Sequence, residues 1–150
     1  MKIEGDFEVP APRSEVWEKI RDPQIMGQCI PGCEAVEQVD DTSYRAQVSV
    51  KVGPIKARFK LLVEVTDEQA PHTIISRTSG DEGTRASVVR SDNIVRLQET
   101  DTGGTRVDYE ADVSVTGRLG KFGLGIFRKK ADQLAAQFVE SFREKLKVTA

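Results

Sequence analysis

Residues 44–65 read YRAQVSVKVGPIKARFKLLVEV, and this stretch decides the class of fold. Apolar and polar side chains alternate on both sides of Gly53-Pro54, which is the pattern of two strands joined by a turn. The apolar set of the first strand is Tyr44, Ala46, Val48, Val50 and Val52, and that of the second is Ile55, Ala57, Phe59, Leu61, Val63 and Val65. One apolar face per strand predicts an antiparallel sheet with one side in water and the other covered.

The sequence around this hairpin predicts further strands and two short helices. Residues 2–9 alternate as a strand, and PAPRSEVWEKIRDP then changes to the helical period, with a second short helix over 23–29. Strands are predicted near residues 72–79, 85–99 and 107–115, although the pattern of 72–79 leaves its inward side open. We expect all 150 residues to form one domain.

The last 30 residues predict the element that covers the sheet. Apolar side chains recur mostly at steps of four, as on one face of a helix: Phe122, Ile126, Leu134, Phe138, Phe142 and Leu146. Four glycines between 117 and 125 predict an irregular start. The order of elements is typical of an α+β fold in which a curved sheet grips a long C-terminal helix, with an apolar cavity between them.

Composition excludes several classes of protein. Hydrophobic residues make up 38% and charged residues 31% of the chain, and the formal net charge is −2, which gives no general attraction to nucleic acid. The N-terminus lacks the apolar core of a signal peptide, so we expect a cytoplasmic protein. Two cysteines and one histidine cannot form a four-ligand zinc site by themselves, and we expect no metal.

No catalytic constellation is evident, so we expect no catalytic residue. Asp108, Glu110 and Asp112 alternate on the predicted wet face, and Gly-x-Ser-x-Gly is absent. Gly120-Lys121 is followed by Phe122 instead of Ser or Thr, which fails the phosphate-loop pattern. Cys29 and Cys33 are expected to be reduced thiols.

The inward-facing rows predict a ligand cavity. Its candidate lining residues are Tyr44, Val48, Val50, Phe59, Leu61, Val63, Ser91, Asn93, Tyr109, Ala111, Val113, Ile126, Leu134 and Phe138. Ser91 and Asn93 are poor core residues, and one interpretation is that they orient the polar end of a ligand. The alternative is a bulge that reverses the register or a wet strand end.

Basic charge collects around the start of the C-terminal helix. Residues 118–147 carry eight basic and three acidic side chains. Basic side chains next to bulky apolar ones suit an anionic membrane surface or an acidic partner. The candidate docking residues are Lys121, Phe122, Leu124, Phe127, Arg128, Lys129 and Lys130, and the alternative is a helix whose basic face is only solvated.

Four stretches together resemble the carbon monoxide dehydrogenase G subunit (CoxG) family, which belongs to the START-like helix-grip superfamily (SRPBCC). They are MKIEGDFEVPAPRSEVWEKIRDP (1–23), IPGCE (30–34), VKVGPIKARFK (50–60) and GGTRVDYEADVSVTGRLG (103–120). The resemblance implies a seven-stranded antiparallel sheet around a long C-terminal helix, with two short helices after the first strand. Ile-Pro-Gly followed by Val-Gly-Pro at this spacing is its most specific part.

The resemblance also implies a function. It implies a non-catalytic accessory protein that recruits a molybdenum-containing carbon monoxide dehydrogenase-type enzyme to the inner face of the membrane. It further implies a lipophilic ligand such as an isoprenoid quinone, with no tightly bound cofactor. The alternatives are a helix-grip enzyme, such as a cyclase or hydrolase acting on a hydrophobic substrate in the same cavity, and a protein-only adaptor.

Overall fold

The computed structural model describes residues 1–83 and 86–148, apart from the side chains of Leu124, Lys147 and Val148. Its strands are β1 (Lys2–Val9), β2 (Cys33–Asp40), β3 (Ser43–Val52), β4 (Ile55–Gln69), β5 (Thr73–Glu82), β6 (Ser87–Glu99) and β7 (Thr105–Gly117). Its helices are α1 (Arg13–Ile20), α2 (Pro23–Cys29) and α3 (Leu124–Val148), with a 3₁₀ turn over Leu119–Phe122 before α3.

The strands form one seven-stranded sheet in the order β1-β7-β6-β5-β4-β3-β2. Every neighbouring pair is antiparallel. Successive strands β2 to β7 lie side by side, and β1 closes the far edge against β7, so the two edges are β1 and β2. The predicted α+β helix-grip architecture is confirmed, including the two short helices after β1.

The alternation in residues 44–65 gives the predicted register. Val48 and Phe59 are directly opposite each other and buried, while Lys56, Arg58 and Lys60 are exposed on the outer face. Burial is less complete than expected at Tyr44, Leu61, Val63, Tyr109 and Val113, which are half-buried. The inward rows predict that these residues are largely buried, and the shortfall arises because a single helix covers only part of a seven-stranded face.

The inward side of β5, which the sequence left open, carries Ile74, Ser76 and Thr78. These residues pair with Val95, Asn93 and Ser91 of β6. β6 spans Ser87–Glu99, close to the predicted 85–99, and Arg85 lies outside the described residues. The sheet therefore has a polar row inside its apolar face.

The residues at the start and in the middle of α2 explain where the helix begins and how closely it packs. The Asp22 carboxylate accepts hydrogen bonds from the backbone N–H groups of Gln24 (2.9 Å) and Ile25 (3.4 Å), and Pro23 occupies the first turn. Gly27 lets the helix approach β2, since a Cβ there would collide with the side chain of Val36. α2 therefore brings the turn at Ile30-Pro31-Gly32 against the sheet.

Two apolar clusters pack the sheet at opposite ends. The first joins α1, α2 and the far half of α3 to the strands, with Phe142 against Phe7 at a ring-centroid distance of 6.2 Å. The second contains Val52, Ala57, Phe59 and Leu119 at the tip of the β3–β4 hairpin. The candidate site lies beside the second cluster, whose residues Val52, Phe59 and Leu119 form part of its wall.

Candidate ligand cavity

A cavity of about 290 Å³ lies between the inner face of the sheet and the first half of α3. Its wall is almost wholly apolar. The lining residues are Met1, Ile3, Ile30, Pro31, Val48, Val50, Val52, Phe59, Leu61, Thr78, Val89, Val113, Val115, Leu119, Phe127, Lys130, Ala131 and Leu134. This volume is at the lower end of the range of small-molecule sites.

Six of the residues predicted from sequence line the cavity: Val48, Val50, Phe59, Leu61, Val113 and Leu134. Tyr44, Tyr109 and Phe138 instead pack against the first apolar cluster. Val63 and Ala111 lie on the inner face but outside the cavity wall. The sequence had placed all five in the ligand site, and the structure corrects this.

Ile126 was also placed in the cavity, and this was wrong. Its side chain is 45% exposed, and Phe127 points inward in its place. Because a helix turns about 100° per residue, Ile126 is rotated by about 80° from Leu134, whereas Phe127 is rotated by only about 20°. Each step of four residues advances about 40° beyond a full turn, so a row of such steps moves gradually around the helix. The predicted row therefore no longer faces inward at Ile126, in the first turn of α3.

Ser91 and Asn93 face inward, but they bond to their neighbours and do not line the cavity. The Ser91 hydroxyl donates to Asn93 Oδ1 (2.6 Å), and Asn93 Nδ2 donates to Ser76 Oγ (3.3 Å) and Thr78 Oγ1 (3.2 Å). The Ser76 carbonyl oxygen, 3.5 Å from Nδ2, can only accept, which fixes the orientation of the amide. The polar side chains of this row therefore form their hydrogen bonds with one another within the sheet.

Several lining residues were missed from sequence. Val52, Val89 and Val115 carry the same alternation as their predicted neighbours, so extending each inward row to its strand end would have found them. Ile30 and Pro31 belong to a turn whose position against the sheet depends on α2. Gly32 follows at φ 78° and its carbonyl oxygen accepts from Ser49 N (2.9 Å), which ties the turn to β3.

Lys130 is a cationic side chain in the cavity wall, and it is half-buried. Half-buried lysines typically lay their methylene stem along apolar surface and keep the ammonium group in water. Among the described residues, no carboxylate lies within ion-pair distance of Lys130.

The predicted docking residues divide into two groups. Lys121, Arg128 and Lys129 are exposed, and Arg128 Nη2 donates to the carbonyl oxygen of Lys2 (3.1 Å). Phe122 and Phe127 are half-buried against the second apolar cluster, and the Leu124 side chain lies outside the described residues. Their predicted role in docking stays a prediction.

An ion pair between the exposed Arg118 and the buried Glu82 lies at the end of the sheet beside the cavity. Arg118 Nε donates to Glu82 Oε2 (3.0 Å), and the Leu119 backbone N–H donates to Ser87 Oγ (3.2 Å). The Glu82 side chain is 8% exposed. The hydrogen bonds from Arg118 lower the pKa of Glu82 below its ordinary value. These contacts hold the 3₁₀ turn over the second apolar cluster.

Other titratable groups near the interior are held in their neutral forms. Burial raises the pKa of Tyr44 to about 12 and also raises the pKa values of the Cys29 and Cys33 thiols. The two cysteines are not joined by a disulfide. Within residues 1–83 and 86–148, no three His, Cys, Asp or Glu side chains are grouped so that they could hold a metal ion.

No helix in the described part of the chain is long and apolar enough to span a bilayer.

Similarity to solved structures defines the class of protein. A conserved protein from Geobacillus kaustophilus superposes with a TM-score of 0.91 at 23% identity, covering 99% of this chain and 97% of that one. A START superfamily protein from Mycobacterium smegmatis gives 0.75 at 13% identity, covering 99% of each chain. The Zhui aromatase/cyclase from Streptomyces sp. R1128 gives 0.71 at 16% identity, covering 98% and 93%. The fold is therefore that of a START-like helix-grip protein.

The sequence itself matches the model of the family described as the carbon monoxide dehydrogenase G subunit (CoxG) over residues 5–147. The search among curated proteins gave no match. The chain belongs to the CoxG family.

Proposed function

We propose that this protein is a non-catalytic accessory protein that carries a lipophilic ligand for a molybdenum-containing carbon monoxide dehydrogenase-type enzyme. The observation that carries the proposal is the apolar cavity of about 290 Å³ beneath α3. Protein interiors are normally close-packed, so a space of this size costs stability unless something occupies it. The name of the family supports the choice of partner.

An isoprenoid quinone is the ligand we propose. The cavity wall offers aliphatic and aromatic side chains and almost no polar surface, which suits an apolar ring or chain with little charge. Such a ligand resides in the bilayer, so its carrier must reach the membrane surface. Lys121, Arg128 and Lys129 are exposed around the start of α3 and would be attracted to anionic lipid.

The direct test is a calorimetric titration of delipidated protein with decylubiquinone, a soluble quinone analogue. We expect saturable binding to the wild type and binding weaker by about 5- to 150-fold in Val48→Phe, because overfilling a packed site costs about 1–3 kcal/mol. Val39→Phe is the matched control, since Val39 lies on the edge strand β2 and is 44% exposed. Absence of binding to the wild type would refute the carrier proposal.

The partner is tested separately by capture of the dehydrogenase on the immobilised protein. We expect retention of the molybdenum enzyme by the wild type. A protein-only adaptor would retain the dehydrogenase while taking up no quinone, so the two experiments together distinguish a carrier from an adaptor.

The enzyme alternative draws support from the aromatase/cyclase with the same fold. Acid–base catalysis on a bound substrate needs a titratable group within reach of the reacting atoms. Among the described cavity-lining residues, Lys130 is the only side chain that titrates. We therefore favour the carrier over the enzyme.

A further inference from the structure

The polar groups nearest the cavity are turned away from its interior. Thr78 lines the wall, but its hydroxyl oxygen accepts from Asn93 Nδ2 at 3.2 Å, and the surface of the cavity is almost wholly apolar. Lys130 contributes its stem and is half-buried. A guest that placed an oxygen atom deep in this cavity would lose its hydrogen bonds to water and find no replacement.

The direction of the mouth follows from the rotation of α3. Ile126, Lys130 and Gln137 lie within about 40° of one another around the helix axis. Gln137 borders a groove formed with residues 27–33, so this side of α3 faces the Ile30-Pro31-Gly32 turn. Arg128 lies on the other side and bonds to Lys2 of β1. Ile30 and Pro31 of this turn also line the cavity, and the geometry points to an opening on this side, between the first turns of α3 and the Ile30-Pro31-Gly32 turn.

The mouth combines an ammonium group with exposed apolar surface. Lys130 has three N–H donors and is without a carboxylate partner among the described residues. Ile126, one helical turn earlier on the same side, is 45% exposed. An oxygen that accepts hydrogen bonds would be stabilised here, whereas inside the cavity it would not.

We propose that the cavity takes an amphiphile tail-first, with the apolar end inside and an oxygen-bearing head held outside by Lys130 beside Ile126. This inference rests on the proposed carrier function and adds the orientation of the ligand and a positioning role for Lys130. It selects molecules whose chain is apolar to its very end and whose head carries acceptor oxygens, such as carbonyl groups.

The test compares decylubiquinone with idebenone, which differs by a hydroxyl group at the end of the ten-carbon tail. Tail-first binding buries that hydroxyl without a partner, so we expect idebenone to bind about 5- to 150-fold more weakly to delipidated wild-type protein. With the head inside and the tail in water, the two affinities would be equal. Equal affinities would overturn the orientation and leave the carrier function intact.

Lys130→Met retains the apolar stem and removes the ammonium group. We expect it to weaken decylubiquinone binding by about 2- to 12-fold, the range of one hydrogen bond, and to leave the ratio between the two probes unchanged. Lys56→Met, on the exposed outer face of β4, is the matched control. Unchanged affinity in Lys130→Met would overturn the role of Lys130. Failure of both probes to bind the wild type would overturn the carrier function and this inference together.

Discussion

Gly32 holds the turn that forms part of the cavity wall, and its φ of 78° lies in the left-handed region that favours glycine. A Cβ at this position would also collide with the carbonyl oxygen of Ser49. The position therefore requires glycine for two separate reasons, the backbone conformation and the close approach to β3.

Gly32→Ala and Gly103→Ala separate these two reasons. Gly103 has nearly the same φ, 83°, but a Cβ there would meet nothing within 4 Å. We expect Gly103→Ala to lower the free energy of unfolding by about 1–2 kcal/mol. Gly32→Ala should cost about 1–3 kcal/mol more, because the methyl group enters occupied space. Urea unfolding measures both, and equal losses would contradict the close approach.

The Glu82–Arg118 pair predicts a dependence of stability on pH. The pKa of Glu82 is lowered in the folded state. The Glu82 carboxylate therefore contributes to the free energy of unfolding above the ordinary pKa of 4.5, and this contribution is lost as the pH falls through the pKa of the folded state. We therefore expect Glu82→Gln to be less stable than the wild type at pH 7, with the difference shrinking below about pH 4.5.

Thermal unfolding of both proteins between pH 7 and pH 3 measures this difference. Glu64→Gln is the control, since Glu64 is exposed on the outer face of β4 and should change stability by less than about 0.5 kcal/mol. A deficit in Glu82→Gln that persisted at pH 3 would show that the carboxylate charge is not what stabilises this end of the sheet.

At the level of elements, the first half of α3 has one half-buried aromatic and one exposed aliphatic side chain next to each other. Phe127 packs against the cluster of Val52, Ala57, Phe59 and Leu119, whereas Ile126 faces solvent. We expect Phe127→Ala to lower the free energy of unfolding by about 2 kcal/mol, less than a fully buried phenylalanine would lose.

Ile126→Ala should change the free energy of unfolding by no more than about 0.5 kcal/mol, because the side chain is already in water. Equilibrium urea unfolding of the two variants compares adjacent positions in one helix. A larger loss for Ile126→Ala than for Phe127→Ala would mean that α3 is rotated from the orientation described above.

The strands were predictable wherever one face is apolar and the other charged. β3, β4 and β7 have that contrast, and their inward rows were found from the alternation alone. β5 does not, because Ser76, Thr78 and Gly80 face inward while Ile75 faces outward, so neither row looks like a core. Asn93 of β6 forms hydrogen bonds with Ser76 and Thr78 of this row. Local sequence cannot reveal this pairing between strands.

The candidate site was only partly predictable, because its shape depends on contacts distant in sequence. Val48 and Val113 could be named from their strands, but Ile30 and Pro31 reach the cavity only through the packing of α2. Phe127 was missed as a cavity residue because repeated steps of four residues favoured Ile126. Thr78 was missed because the inward side of its strand was open.

At the level of the whole molecule, exposed basic side chains lie around the start of α3. Reversing charge in the Lys121→Glu/Lys129→Glu double variant should weaken binding to phosphatidylglycerol vesicles by about 30-fold, at about 1 kcal/mol for each basic residue lost. Arg45→Glu/Lys60→Glu makes the same change in net charge on the outer face of the sheet. Equal losses in the two double variants in a co-sedimentation assay would argue against a localised docking surface.

The central claim is that the space beneath α3 holds a lipophilic guest. Native mass spectrometry of the freshly purified protein measures this most directly, since a retained guest appears as a discrete increase in mass. We expect the wild type to carry such an adduct, or to gain one after incubation with decylubiquinone, and Val48→Phe to carry much less. A wild-type protein that stays at its bare mass in both conditions would contradict the claim.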